Sequence, residues 1–265
     1  MLIFPANVKA SLKLLEVLED PDFHLEAAAQ LVIADPVIAA RLVAVGNSAI
    51  FARGTTVDNV RTAVNRLGLR TVRTLVAGIV VRQICSAVAA PAIRAQAEQL
   101  WQHCAHVGAL AYVIGRDVAR IDPDTAMFAG IVHEVGGFYR LYRADGGAEL
   151  AGEDASPGAA EAGCALTRSV LEALLVPEAI VAAVESLDEA PEWATRPMPP
   201  ATLADTLHLA NELTAVASPF AMNVMNAAAA GIGNPIDTEG RGKTLPPVLA
   251  ESADEIKSLA EALLV

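Results

Sequence analysis

The chain has 265 residues, a formal net charge of −12, 54% apolar residues and only 4% aromatics. That length can bury a sizeable core in one large domain or two modest ones, and with so few rings Ala, Val and Leu must fill it, which suits closely spaced helices. The acidic balance argues against general binding to nucleic acid or to an anionic membrane, and no apolar run approaches the ~18 residues that cross a bilayer. Cys85, Cys104 and Cys164 form no CxxC pair and suggest no disulfide framework. Met1-Leu-Ile-Phe-Pro5 meets Lys9 before a signal-peptide core develops, so the expected location is cytoplasmic.

Residues 6–19 repeat Val8, Leu12, Leu15 and Leu18 at helical spacing, and Asp20-Pro21-Asp22 breaks the pattern. A helix resumes over His24–Ile33. Asp35-Pro36 is a helix start: the Asp side chain caps free N–H groups, and Pro at the first helical position has no N–H to leave unpaired. That helix carries Ile38, Leu42 and Val45 and ends near Gly46-Asn47-Ser48. Val57–Leu67 follows, with Gly68 as a left-handed C-terminal residue, and a longer helix begins at Leu69. Seven arginines lie between Arg41 and Arg82 against Asp58 alone. Most charge runs are solvated helix surface, but Arg61, Arg66, Arg70 and Arg73 also form a candidate face for an anion or an acidic partner.

Ala90-Pro91 is the best internal boundary. Ile93–Arg116 reads as a long helix with Val107, Leu110, Ile114 and Val118 on one face and His103 in the same stripe. Asp122-Pro123 starts another helix, carrying Met127, Phe128, Ile131, Val132, His133 and Glu134, which Gly136-Gly137 are expected to close. Residues 144–160 read as a loop. Further helices are expected at Ala162–Leu175, Pro177–Leu187, after Pro199-Pro200 through Ala217, at Met222–Ile232 and at Leu249–Leu264, with Leu187–Pro200 a linker and Asn234–Pro247 irregular. No segment alternates with period two, so the fold class is all-α.

Several stretches carry a family resemblance. IADPVIAARLVAVGNSAIFA at 33–52 and VDNVRTAVNRLGLRTVRTLV at 57–76 are followed by LWQHCAHVGALA at 100–111 and FAGIVHEVGG at 128–137. From about Phe4 to Ala217 the chain resembles the HDOD family, output-domain relatives of HD phosphohydrolases. The resemblance implies an N-terminal helical bundle packed against a degenerate HD-like bundle: subdomains over 1–90 and 91–220, then an extension over 221–265 with a terminal helix. It also implies a signalling or regulatory module.

HD hydrolases hold one or two metal ions with a separate His, a His-Asp pair and a distant Asp. By resemblance His103 matches the first His and His133 the His of the pair. Glu134 replaces the Asp, moving the carboxylate outward by roughly one C–C bond, ~1.5 Å. Asn211 matches the distant Asp, and an amide is a weak ligand. His208 shares a helix face with Asn211. Positions that are often polar in relatives are Gly163, Ala165, Leu187 and Asp188 here. Three uses of the cluster stay open at this point. The histidines are hydrogen-bonded core residues, or His103, His133 and Glu134 hold a single metal, or these residues with His208 and Asn211 bind a small ligand. No phosphate-binding GxxxxGK[ST], GxSxG elbow or HExxH motif occurs.

The expectation is therefore a non-catalytic regulatory module with no cofactor and no metal. It would act through a signalling protein partner or a small ligand, without nucleic acid or membrane, and a homodimer is compatible. The competing readings are a divergent metal-dependent phosphohydrolase and a nucleotide sensor, for example of a cyclic dinucleotide.

Overall fold

The computed structural model describes residues 6–18, 24–33, 35–52, 54–146, 159–188, 199–220 and 245–264. The expectations for 221–244 and for most of the two linkers lie outside them. All regular structure among the described residues is helical: α1 (Ala6–Leu18), α2 (Leu25–Ile33), α3 (Pro36–Gly46), α4 (Val60–Ser86), α5 (Pro91–Ile114), α6 (Pro123–Val132), α7 (Val135–Asp145), α8 (Ala159–Ala173), α9 (Glu178–Glu185), α10 (Leu203–Leu213), α11 (Leu245–Glu251) and α12 (Ala253–Leu264), with single turns at 115–119 and 186–188. No helix among them is long and apolar enough to cross a membrane.

The caps behave as the side-chain chemistry requires. Asp35 accepts from the Val37 and Ile38 amides at 2.9 and 3.2 Å, and Asp122 accepts from the Thr125 amide at 2.9 Å. Thr202 and Asp205 form a reciprocal capping box on α10. Gly68 adopts positive φ (78°) and non-helical backbone, so α4 is two helical pieces that meet at a kink there, as the sequence suggests.

Two expectations need correction. Gly136-Gly137 do not close the helix before them. α6 stops at Val132, and both glycines lie inside α7. They are small because other parts of the chain press on them: a Cβ at Gly136 would lie 2.2 Å from Thr167 Oγ1, and one at Gly137 2.6 Å from the Phe220 ring. The last helix is not one piece either; α11 and α12 are separated at Ser252.

One buried apolar cluster runs from Val8 in α1 through α4, α5 and α6 to Leu263 in α12. α4 packs on α1, α2 and α3 and also on α6 and α7. α12 lies across α5 and α3. It is tied there by Arg116 to Glu255 (2.7 Å), by the Ala49 amide to Ser258 Oγ (2.9 Å) and by Arg82 to the Leu264 carbonyl (2.9 Å).

α5 and α6 cross with their backbones in contact. Gly108 and Gly130 meet backbone to backbone, and a Cβ at Gly130 would lie 2.6 Å from Gly108 Cα. Backbone cannot yield as a flexible side chain does, so the helices must part to admit a methyl. Gly130→Ala is expected to destabilise the chain by about 2–3 kcal/mol, ~5–10 °C in Tm for a chain of this size, measured by thermal unfolding. Gly146→Ala, whose added Cβ would make only an ordinary 3.5 Å contact, is the control and is expected to change Tm little.

Candidate functional site

The α5–α6 junction sets two histidines opposite each other. His103 lies five residues before Gly108 on α5, and His133 caps the C-terminus of α6 three residues after Gly130. Both are buried. His103 Nδ1 is 2.7 Å from the Val216 carbonyl, and His133 Nδ1 is 2.8 Å from the Gly130 carbonyl. A carbonyl only accepts, so each ring carries its proton on Nδ1 and donates it. In neutral rings both Nε2 atoms are then lone-pair acceptors. They face each other at 3.1 Å. Two lone pairs at that distance require a positive centre between them, either one proton, which makes one ring an imidazolium, or one metal ion.

Glu134 supplies the balancing charge. One carboxylate oxygen and one nitrogen from each histidine all lie within 4.8 Å of one another. Ser218 Oγ donates to Glu134 Oε2 at 2.7 Å. Burial raises the Glu134 pKa above the usual carboxylate range, while the His103 charge and the Ser218 hydroxyl pull it back. Burial is also the main reason that His133 falls from 6.5 to about 3, with the neighbouring His103 charge second; the Gly130 carbonyl and the Asn211 side chain oppose the fall. His133 is thus held as a neutral ring at neutral pH.

Asn211 is a hydrogen-bonding neighbour of His133, so the side chain at the fourth position is present beside the cluster but uncharged. His208 turns elsewhere: its Nε2 donates to the Ser186 carbonyl at 2.9 Å, and it is not among the three grouped donors. His106 bonds Thr214 Oγ1 at 2.8 Å. The residues after α10 form a strap over the cluster. Within it Thr214 holds His106, Val216 holds His103, the Ala217 carbonyl accepts from Gln99 (3.1 Å), and Ser218 holds Glu134. Ser218 and the two carbonyls escaped the sequence reading, because a backbone acceptor has no residue-type signature.

The arginine face is largely put to structural use. Arg61 pairs with Glu26 and Arg70 with Asp122. Arg66 bonds the Gly46 and Thr55 carbonyls at 3.2 and 2.6 Å. Arg73 is half-buried. Arg61 and Arg70 are exposed and each meets one acid, while Arg66 is spent on backbone carbonyls.

The donor set fits one ion. Ligand bonds of ~2.1 Å at 90–109° place two nitrogens ~3.0–3.4 Å apart, which the 3.1 Å Nε2 separation matches. Both imidazoles also spend Nδ1 on a carbonyl, as metal-bound histidines do. A second ion would need a bridging carboxylate and further oxygen donors, and Asn211 replaces one such oxygen with an amide. His103, His133 and Glu134 would hold the ion, which would act there as a Lewis acid.

Residues 4–173 match the HDOD domain, and the chain belongs to that family. Among solved structures it is similar to a candidate metal-dependent phosphohydrolase from Shewanella amazonensis SB2B, with TM-score 0.70 and 21% identity over 99% of this chain and 93% of that one. It is similar also to an HDOD domain protein of unknown function from Geobacter sulfurreducens, with TM-score 0.61 and 18% identity over 99% and 92%. A candidate signal transduction protein from Marinobacter aquaeolei VT8 gives TM-score 0.60 and 17% identity over 98% of this chain and 60% of that one. At these identities the likeness establishes the fold. No curated protein matches the sequence.

The depressed His133 pKa fixes a pH dependence. Between about 3 and 6.5 the folded state binds fewer protons at this ring than the unfolded state does, so its contribution to stability is full above 6.5 and is lost as pH falls through that window. NMR titration is expected to find the His133 Cε1 proton unmoved from pH 8 to 5. His133→Gln is expected to flatten the fall in Tm over that range.

Proposed function

We propose that the chain is a regulatory, signal-transducing HDOD module that does not hydrolyse phosphoesters and that acts by binding a signalling protein. The observation that carries this reading is the composition of the cluster. Two histidines face each other across a single positive centre, with one buried glutamate, and an amide stands where a further carboxylate would be needed. Such a set favours one proton or one ion. Hydrolysis by two metals needs a bridged pair that clamps both the attacking and the leaving oxygen. The strap over the cluster further supports a structural use, because Val216 and Ser218 occupy donors and acceptors that a substrate would otherwise meet.

A single-metal phosphohydrolase is the second reading, favoured by the grouping of His103, His133 and Glu134 within 4.8 Å. The two readings separate in one assay. Purified chain with Mn²⁺ is presented with phosphomonoesters, phosphodiesters and nucleotides. The expected release of phosphate or nucleotide equals that of His133→Ala. Turnover that His133→Ala abolishes would contradict the regulatory reading.

A further inference from the structure

Arg41 is a buried charge that the histidine cluster does not explain. It lies on the inner face of α3, is 2% exposed, and among the described residues no acceptor lies within hydrogen-bonding distance of its Nε, Nη1 or Nη2. Its guanidinium sits over the Trp101 ring of α5, 5.6 Å from the centroid. Arg82 of α4 converges on the same ring at 5.8 Å and donates to the neutral carbonyl of Leu264 at 2.9 Å. Trp101 is itself buried, and its indole Nε1–H also has no acceptor among the described residues. Burial, and then the Arg82 charge, bring the Arg41 pKa down only to about 10, so the side chain remains a cation at neutral pH.

Donors therefore accumulate at one place, where Arg41 and the Trp101 N–H are unpartnered and Arg82 meets only a neutral carbonyl. An unpaired buried charge is costly, a second guanidinium adds repulsion, and a cation–π contact offsets only part of this. The chemistry that answers all these groups together is an anion with several acceptor oxygens.

We propose that Arg41, Arg82 and the Trp101 indole N–H form a binding site for a compact oxyanion, a phosphate or a terminal phosphoryl group, where α3, α4, α5 and α12 meet. The guanidinium fork of Arg41 matches two oxygens of such a group. A compact group is required, because the ring is buried and the guanidinium of Arg41 lies over it, leaving no room for a stacked base. Leu264, in the last turn of α12, borders the site. Arg82 holds Leu264 there through a neutral carbonyl, which an oxyanion displaces as the stronger acceptor. The site is separate from the histidine cluster: Trp101 and His103 are two residues apart on α5 and point to different faces.

The test is thermal unfolding of the full chain in rising inorganic phosphate, and separately in a nucleoside monophosphate, with chloride keeping ionic strength constant. Phosphate stabilises many proteins by exclusion from their surface, so the informative quantity is the saturable rise in Tm that wild type shows and the variants lose. Wild type is expected to gain several degrees along a saturating curve. Arg41→Met is expected to fold, because loss of an unpaired buried charge is seldom destabilising, and to lose the saturating rise. Should Arg41→Met not fold, Arg82→Met carries the same expectation. A larger rise with the nucleotide assigns the site to a phosphoryl group on a bigger molecule; a larger or equal rise with phosphate assigns it to the free ion. Equal Tm in phosphate and chloride, or a saturating rise retained in Arg41→Met, would overturn the proposal.

Discussion

The contact between Gly108 and Gly130 governs the middle of the molecule. Two helices can approach backbone to backbone only where both lack a side chain, and here that approach brings α5 and α6 close enough for His103 and His133 to face each other at 3.1 Å. The same residue also serves as a partner, since the Gly130 carbonyl takes the Nδ1 proton of His133. Packing and electrostatics are coupled at one point: the crossing that fills the core also fixes the tautomer of a buried ring.

From that crossing the polarity of the cluster follows. Both Nδ1 positions are spent on carbonyls, so one positive centre is needed between the Nε2 atoms. Glu134 balances it, and Ser218 holds Glu134. The strap after α10 then closes over the group, and α8 and Phe220 press on Gly136 and Gly137 from outside. Few polar groups are left to take part in chemistry. The cluster is a buried core element covered by the strap, with both Nδ1 atoms and the carboxylate partnered.

The helices were legible in the sequence where apolar spacing and capping chemistry agreed. Asp35-Pro36 and Asp122-Pro123 start helices at the expected places, and His103 and His133 meet as the family resemblance implied. Gly136-Gly137 were misread, because a glycine pair after a helix signals a cap locally while its actual reason, the closeness of Thr167 and Phe220, is tertiary. The arginine excess from Arg41 to Arg82 was visible, but its partners were not. Glu26 and Asp122 are far away in sequence, and Arg66 ends on carbonyls that no residue type announces. Arg41 shows the opposite limit. A cation in an otherwise apolar stripe of α3 is plain in the sequence, whereas its lack of an acceptor is visible only once Trp101 and Arg82 are placed around it.

His103, His133 and Glu134 enclose a single positive centre. Elemental mass spectrometry of purified chain, after loading with Mn²⁺, Fe²⁺ or Zn²⁺ and removal of excess, tests it directly. The ratio is expected never to exceed one ion per chain, and any ion found is expected to disappear in His103→Ala. Two ions per chain, or a stoichiometric ion unaffected by His103→Ala, would contradict it.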